Sequence, residues 1–173
     1  AKLIPMKTIA QNLFLFRKHR SPLNLPWQEK ADKKMADWLL REWDIPLKAG
    51  TRLEELSLGW QHVIETLKAV LAGAEVLLFE EAFIFYSDED YRIIQEHLKR
   101  LCTRGITIMV IDTRMSFMMD ICDRILLIQE GWNRGVFFRD EFSEQLFLGI
   151  LGGNPEKTAI RTGELPATAP IFS

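Results

Sequence analysis

An α/β fold, a parallel sheet flanked by helices, is predicted by two repeats of one pattern and by what precedes them. In the first repeat, a helix-period run from about Gln61 to Leu71 carries Val63, Leu67, Val70 and Leu71 on one stripe. Gly73 and Ala74 break it, and the apolar run Val76-Leu77-Leu78-Phe79 reads as a strand buried on both faces. In the second repeat, a helix over 88–103 turns Ile93, Ile94, Leu98 and Leu101 to the core, Gly105 ends it, and 106–111 is another apolar strand. Upstream lies an amphipathic helix over 27–43, with Met35, Trp38, Leu39 and Trp43 on one face, stopped by Ile45-Pro46.

The remaining elements follow in order. Residues 7–19 read as a helix through Ile9, Leu13 and Phe16, with Thr8 available to cap it. The basic cluster Arg17-Lys18-His19-Arg20 is either a solvated helix end complementing the dipole or a phosphate contact, and an irregular loop follows it. Leu56-Ser57-Leu58-Gly59 is a tight polar turn where Gly59 lets the backbone approach something closely. Free amides at the start of the next helix can bind an anion, although Ser57 is equally an ordinary N-cap. Strand 76–79 ends in Glu80 and Glu81. Adjacent residues leaving a strand point to opposite sides, so the two are no acid–base dyad. They are strand-end acids, unless another segment brings a phosphate site to which one supplies a metal ligand or a base. The apolar run Ala82 to Tyr86 suits a dry contact, either core or protein interface, and puts Phe83 and Phe85 forward as interface candidates with Trp60. Ser87 or Asp88 caps the second helix. A Met-rich helix at 115–122 is gap-filling core or an adaptable face. Strands at 124–128 and 136–138 flank Glu130-Gly131, a helix at 142–151 follows, and 152–173 reads as a flexible tail or linker.

Composition sets few limits. The 173 residues are 47% hydrophobic and 27% charged, enough for one domain with a core. A net charge of -2 gives no electrostatic reason to propose nucleic acid. Cys102 and Cys122 have no metal or redox spacing and point to a reducing compartment. His19, His62 and His97 show no ligand spacing, so no role is assigned to them. No apolar run is long enough to span a bilayer, so a membrane is reached only through a partner.

Several segments together resemble the ATPase domain of ABC transporters, most closely the monosaccharide-importer type. Leu56-Ser57-Leu58-Gly59-Trp60-Gln61 is similar to the family's signature, and Val76 to Phe83 to its Walker B strand. Ile108 to Arg114 resembles the strand and H-loop, with Thr113 at the His position. Ile121 to Gly131 and Ile4 to Leu15 match further segments in the same order. The resemblance implies a P-loop-NTPase-like sheet over about 56–151, a helical arm over about 7–55 and an ABC-ATPase-like domain over 1–151. Within the arm, Trp27, Trp38 and Trp43 are either partner anchors or subdomain core.

The departures limit what the resemblance implies. No G-x-x-x-x-G-K-S/T occurs, nor any Gly-Lys pair, so no P-loop cradles a phosphate in these residues. Glu80 stands where the family's Mg-associated Asp is expected, a weak metal candidate, and Ala82-Phe83 replaces Pro-Thr. Phe85-Tyr86-Ser87 occupies the D-loop. Glu81 alone keeps the place of the water-activating acid. Phosphoryl transfer needs a P-loop backbone, a Lys and a metal acting together. The chain alone is therefore expected to hold no cofactor and not to hydrolyse ATP. Ser57, Gly59 and Gln61 are left as the nucleotide-contacting candidates, toward ATP and Mg shared with a partner subunit. The implied role is a silent module of ATP-coupled sugar transport, or regulation derived from it. It would work by dimerisation or trans nucleotide contact, with a second cassette or a membrane subunit as partner, at a cytoplasmic location. Two alternatives stand beside it: an interaction module that has lost nucleotide, and a fragment of a weakly active ATPase whose Walker A half lies upstream of residue 1. Without the P-loop strand that the resembled fold places between the strands at 125–128 and 106–111, two apolar edges would be unpaired. Either another polypeptide segment fills the gap or the remaining strands have closed up.

Overall fold

A computed structural model describes residues 3–15, 26–80, 83 and 85–152. These fall into two compact units, Ala1–Met109 and Val110–Ser173, each taken by itself below.

The first unit opens with α1 (Ile9–Leu13), shorter than the expected helix because Phe14 ends it. Thr8 and Gln11 form a reciprocal capping box, the Gln11 amide donating to Thr8 Oγ1 at 3.2 Å and the Thr8 amide to Gln11 Oε1 at 3.1 Å. Asn12 is fully buried. Its Nδ2 donates to the carbonyls of Ile4, Lys7 and Thr8 and its Oδ1 accepts from the Ile4 amide, pinning the incoming chain.

Helix α2 (Pro26–Glu42) packs on α1, through a face other than the expected one. Asp32, Ala36, Leu39 and Leu40 are buried, while Met35 and Trp38 are exposed. Small Ala36 allows close approach, so the packing stripe sits one residue round from the bulky pattern. After it, Asp44 takes a positive φ of 52° and the Ile45 amide returns to the Leu40 carbonyl, closing the helix.

Helix α3 (Leu58–Leu71) and α4 (Asp88–Thr103) pack against each other. The buried residues of α3 include Gly59, Val63, Thr66 and Leu67, which form its packing stripe; Val70 is half-buried and Leu71 exposed, outside the expected stripe. The α4 face matches expectation at Ile94, Leu98 and Leu101, with Ile93 half-buried.

Strands β1 (Val76–Glu80) and β2 (Thr107–Ile111) form a two-stranded parallel sheet around α4. Leu77 and Phe79 are buried, but Val76, Leu78, Met109 and Ile111 are exposed. The strands are therefore covered on one face instead of both. The uninterrupted apolar runs describe a two-sided burial that the described residues do not provide.

The second unit is a hairpin between two helices: α5 (Met115–Ile121), β3 (Arg124–Gln129), β4 (Trp132–Phe138) and α6 (Glu144–Leu151). Glu130 and Gly131 both have positive φ, 54° and 78°, the conformation a two-residue hairpin turn demands. Ile125, Leu127, Phe137 and Phe147 form the core, and Met115, Met118 and Met119 pack against it, so the Met cluster fills gaps. Strand β4 starts at Trp132, four residues earlier than its sequence suggests. A bulge explains the extension: Leu127 pairs with Gly135 and Ile128 with Asn133, which leaves Arg134 as the extra residue. Among the described residues the strands pair as two two-stranded sheets, β1 with β2 and β3 with β4.

Candidate functional site

The signature-like turn is held shut by a carboxylate from α4. Ser57 is the N-cap of α3, and Gly59, the second residue of the helix, is buried. The Gly59 amide donates to Asp90 Oδ1 at 2.9 Å. A Cβ built on Gly59 would lie 2.8 Å from that oxygen and 2.9 Å from the Asp90 Cα, so only glycine fits. The close approach expected at Gly59 is thus to the backbone of a neighbouring helix.

Asp90 serves two helices at once. As the third residue of α4 it completes a capping box with Ser87, whose hydroxyl donates to Oδ2 at 2.8 Å and whose amide donates to it at 3.3 Å. The Asp90 amide donates back to Ser87 Oγ at 3.1 Å. Burial pushes the Asp90 carboxyl up, but hydrogen bonds from Ser57, Ser87 and the Gly59 and Ser87 amides outweigh it and hold the acid below its usual range. The anion seated at the start of α3 is a side chain of the protein itself.

Around this turn the other candidates take varied places. Gln61 Nε2 donates to the Leu56 carbonyl at 2.9 Å, folding the side chain back on the turn. Trp60 is half-buried and lines a cleft of about 430 Å³ with Asp44, Arg92, His97 and Arg100. Phe83 is completely buried, stacked on Phe79 at 5.4 Å between centroids and edge-on to Tyr86 at 5.3 Å. Its ring therefore lies in the core of this chain, packed against Phe79 and Tyr86, and not on an open surface. Phe85, two residues on, is 85% exposed. Glu80 is exposed at the end of β1. Glu81 lies outside the described residues, as do the basic cluster 17–20 and the tail beyond 152. Thr113 is exposed in a bend beside Asp112, whose carboxylate receives the Arg114 amide at 2.9 Å and its Nη2 at 2.6 Å. Among the described residues no three His, Cys, Asp or Glu side chains gather as a metal site. Trp43 is covered by the Arg104 guanidinium, 4.2 Å from the ring centroid.

Two histidines without ligand spacing prove to be structural. His62 bonds through Nδ1 to the Tyr86 hydroxyl and sits 3.8 Å from Glu65; burial lowers its pKa and Glu65 offsets part of this. Tyr86 thereby ties the residues ahead of α4 to α3. His97 Nε2 meets Thr66 Oγ1 at 2.8 Å, and that hydroxyl donates to the Val63 carbonyl, so the network assigns the proton to Nε2. Burial, aided by the Arg100 charge, pushes the His97 pKa down to about 4. Between pH 6.5 and 4 the unfolded chain binds a proton that the folded one excludes, so stability falls as pH falls through that window. Thermal melts across it are expected to show the wild-type midpoint dropping while that of His97→Gln stays flatter. Parallel profiles overturn the assignment.

No family model matches this chain. It is 29% identical over 130 residues to the ribose import ATP-binding protein of Caldanaerobacter subterraneus, covering 75% of this chain and 26% of that protein. It is 24% identical over 151 residues to the xylose import ATP-binding protein of Moorella thermoacetica, covering 87% and 30%. Among solved structures, the ADP conformation of an ATP-binding cassette of an ABC transporter superposes with a TM-score of 0.62 at 18% identity, covering 88% of this chain and 61% of that one. A nucleotide-free cassette gives 0.61, also at 18%, covering 92% and 64%. The fold is that of an ATP-binding cassette. The sequence is similar to parts of these sugar-import ATP-binding proteins, and it spans about a third of their length or less. Among the described residues no helix is long and apolar enough to cross a membrane.

Proposed function

We propose that this chain is a catalytically silent ATP-binding-cassette module that serves ATP-coupled, sugar-type transport through contact with a partner subunit. The observation that carries the reading is the Asp90 carboxylate on the Gly59 amide and the Ser57 hydroxyl, where a nucleotide phosphate would have to sit. The chemistry agrees. Phosphoryl transfer needs a cradle of backbone amides, a Lys and a held metal. These 173 residues contain no Gly-Lys pair, and Glu80 is exposed with no gathered ligands around it. Mg-ATP does not fit the described residues of this chain alone, and no hydrolytic step is assigned to it. The partner reading draws on the exposed Phe85 and on the half-buried Trp60 that follows the turn. It places the chain in the cytoplasm, at the membrane only through that partner.

A second reading is contact in trans with a nucleotide bound by an intact partner cassette. It is favoured by Ser57, an exposed N-cap at the mouth of the turn. Calorimetry decides between them. Mg-ATP titrated into this chain alone is expected to give no heat, and phosphate release is expected at the blank rate. Heat from the chain alone, or hydrolysis above blank, overturns the silent reading. Heat that appears only with a partner cassette and is lost on Ser57→Ala establishes contact in trans; no heat in either case leaves partner contact without nucleotide.

A further inference from the structure

The cleft lined by Trp60 lies wholly within the first unit, between the turn after α2, the start of α3 and one face of α4. Its volume of about 430 Å³ is that of a small-molecule pocket. Part of the wall is apolar: Ile45, Pro46 and Ile93, with the half-buried Trp60 ring.

The charges on the wall are unevenly committed. Arg100 is already held, its Nη1 donating to the Asp44 carbonyl at 3.0 Å and its Nη2 lying 3.5 Å from Glu96. His97 is bonded to Thr66 and kept neutral by burial, so it adds no charge at pH 7. Glu89 and Arg92 differ. Both line the cleft, three positions apart on α4 and within reach of one another. Yet neither side chain has an ion pair or a hydrogen bond among the described residues.

Two uncommitted charges of opposite sign select the ligand. A simple anion such as phosphate would pair with Arg92 but bring like charge against Glu89 and Asp44, which share the cleft. A simple cation would meet the acids but stand against Arg92. A zwitterion meets both. The planar guanidinium matches a carboxylate with two parallel hydrogen bonds, and an aromatic ring offers a broad apolar surface beside it.

We propose that this cleft binds a free α-amino acid with an apolar side chain, its carboxylate on Arg92, its ammonium on Glu89 and its side chain against Trp60. The site uses the residue after the signature-like turn and is independent of whether that turn meets a nucleotide.

The test is NMR of the full chain labelled with nitrogen-15, following the Trp60 indole N–H signal, assigned as the one missing from Trp60→Phe. The probes are L-phenylalanine, its amide, which lacks the carboxylate, and its N-acetyl form, which lacks the ammonium. Phenylalanine is expected to shift the Trp60 signal saturably, and each analogue to bind about tenfold more weakly. Arg92→Gln should lower the affinity for phenylalanine to that of the amide, and Glu89→Gln to that of the N-acetyl form. Both residues are exposed, so these variants keep the fold. No shift of Trp60 up to the solubility limit overturns the proposal, as does unchanged affinity in both variants. An amide that binds as tightly as phenylalanine would make this a cation site, and an equally tight N-acetyl form an anion site; either result also overturns it.

Discussion

Asp90→Ala is expected to lower the stability of the protein by about 2–4 kcal/mol, as the sum of a lost helix cap and lost charge-assisted hydrogen bonds. The effect exceeds that of an ordinary cap because one carboxylate satisfies amides at the start of two helices, Gly59 in α3 and Ser87 ahead of α4. Alanine leaves the Gly59 amide buried with no acceptor. Asp90→Asn is the gentler probe, keeping one carbonyl oxygen and losing the charge. The pH dependence follows from the depressed folded-state pKa. The stabilisation is present above the unfolded value near pH 4 and is lost as pH falls through the lower folded value. Denaturant titrations of wild type and Asp90→Asn between pH 7 and 2 check this. The gap between them should narrow below pH 4, separately from the His97 effect above it. A gap that stays constant to pH 2 would show that Asp90 carries no special charge interaction.

The same residue shows where reading the sequence stops. Its local half was legible in part: Ser87 or Asp88 is the expected cap of α4, and the structure makes Ser87 the cap with Asp90 as its partner. Its distant half was not, since Gly59 and Asp90 lie 31 positions apart and no local pattern encodes their meeting. Gly59 announced a close approach without naming what approaches. The apolar runs at 76–79 and 106–111 located β1 and β2, yet they overstated burial, because hydrophobicity reports what a strand is suited to and not what covers it. In α2 the bulky residues Met35 and Trp38 outweighed Ala36 in the pattern, although the small residue marks the packed face. The order of segments identified the cassette fold, while the site depended on long-range contacts between them.

Phe83→Ala is expected to cost about 3–5 kcal/mol, the range for removing a fully buried aromatic side chain and leaving a cavity. The ring has no exposed area, stacks on Phe79 and meets Tyr86 edge-on, so neighbours on both sides of it lose contacts. Damage should also reach the turn: Tyr86 bonds to His62 of α3, and the Tyr91 hydroxyl donates to the Phe83 carbonyl at 2.9 Å. Phe85→Ala is the internal control. With 85% of its surface in water, Phe85 should change stability by no more than about 0.5 kcal/mol. Urea titrations of both variants distinguish the two readings of this aromatic segment. A large loss at 83 and almost none at 85 establishes that Phe83 is part of the core while Phe85 faces outward. Equal and small losses would return Phe83 to the surface and overturn its place in the core.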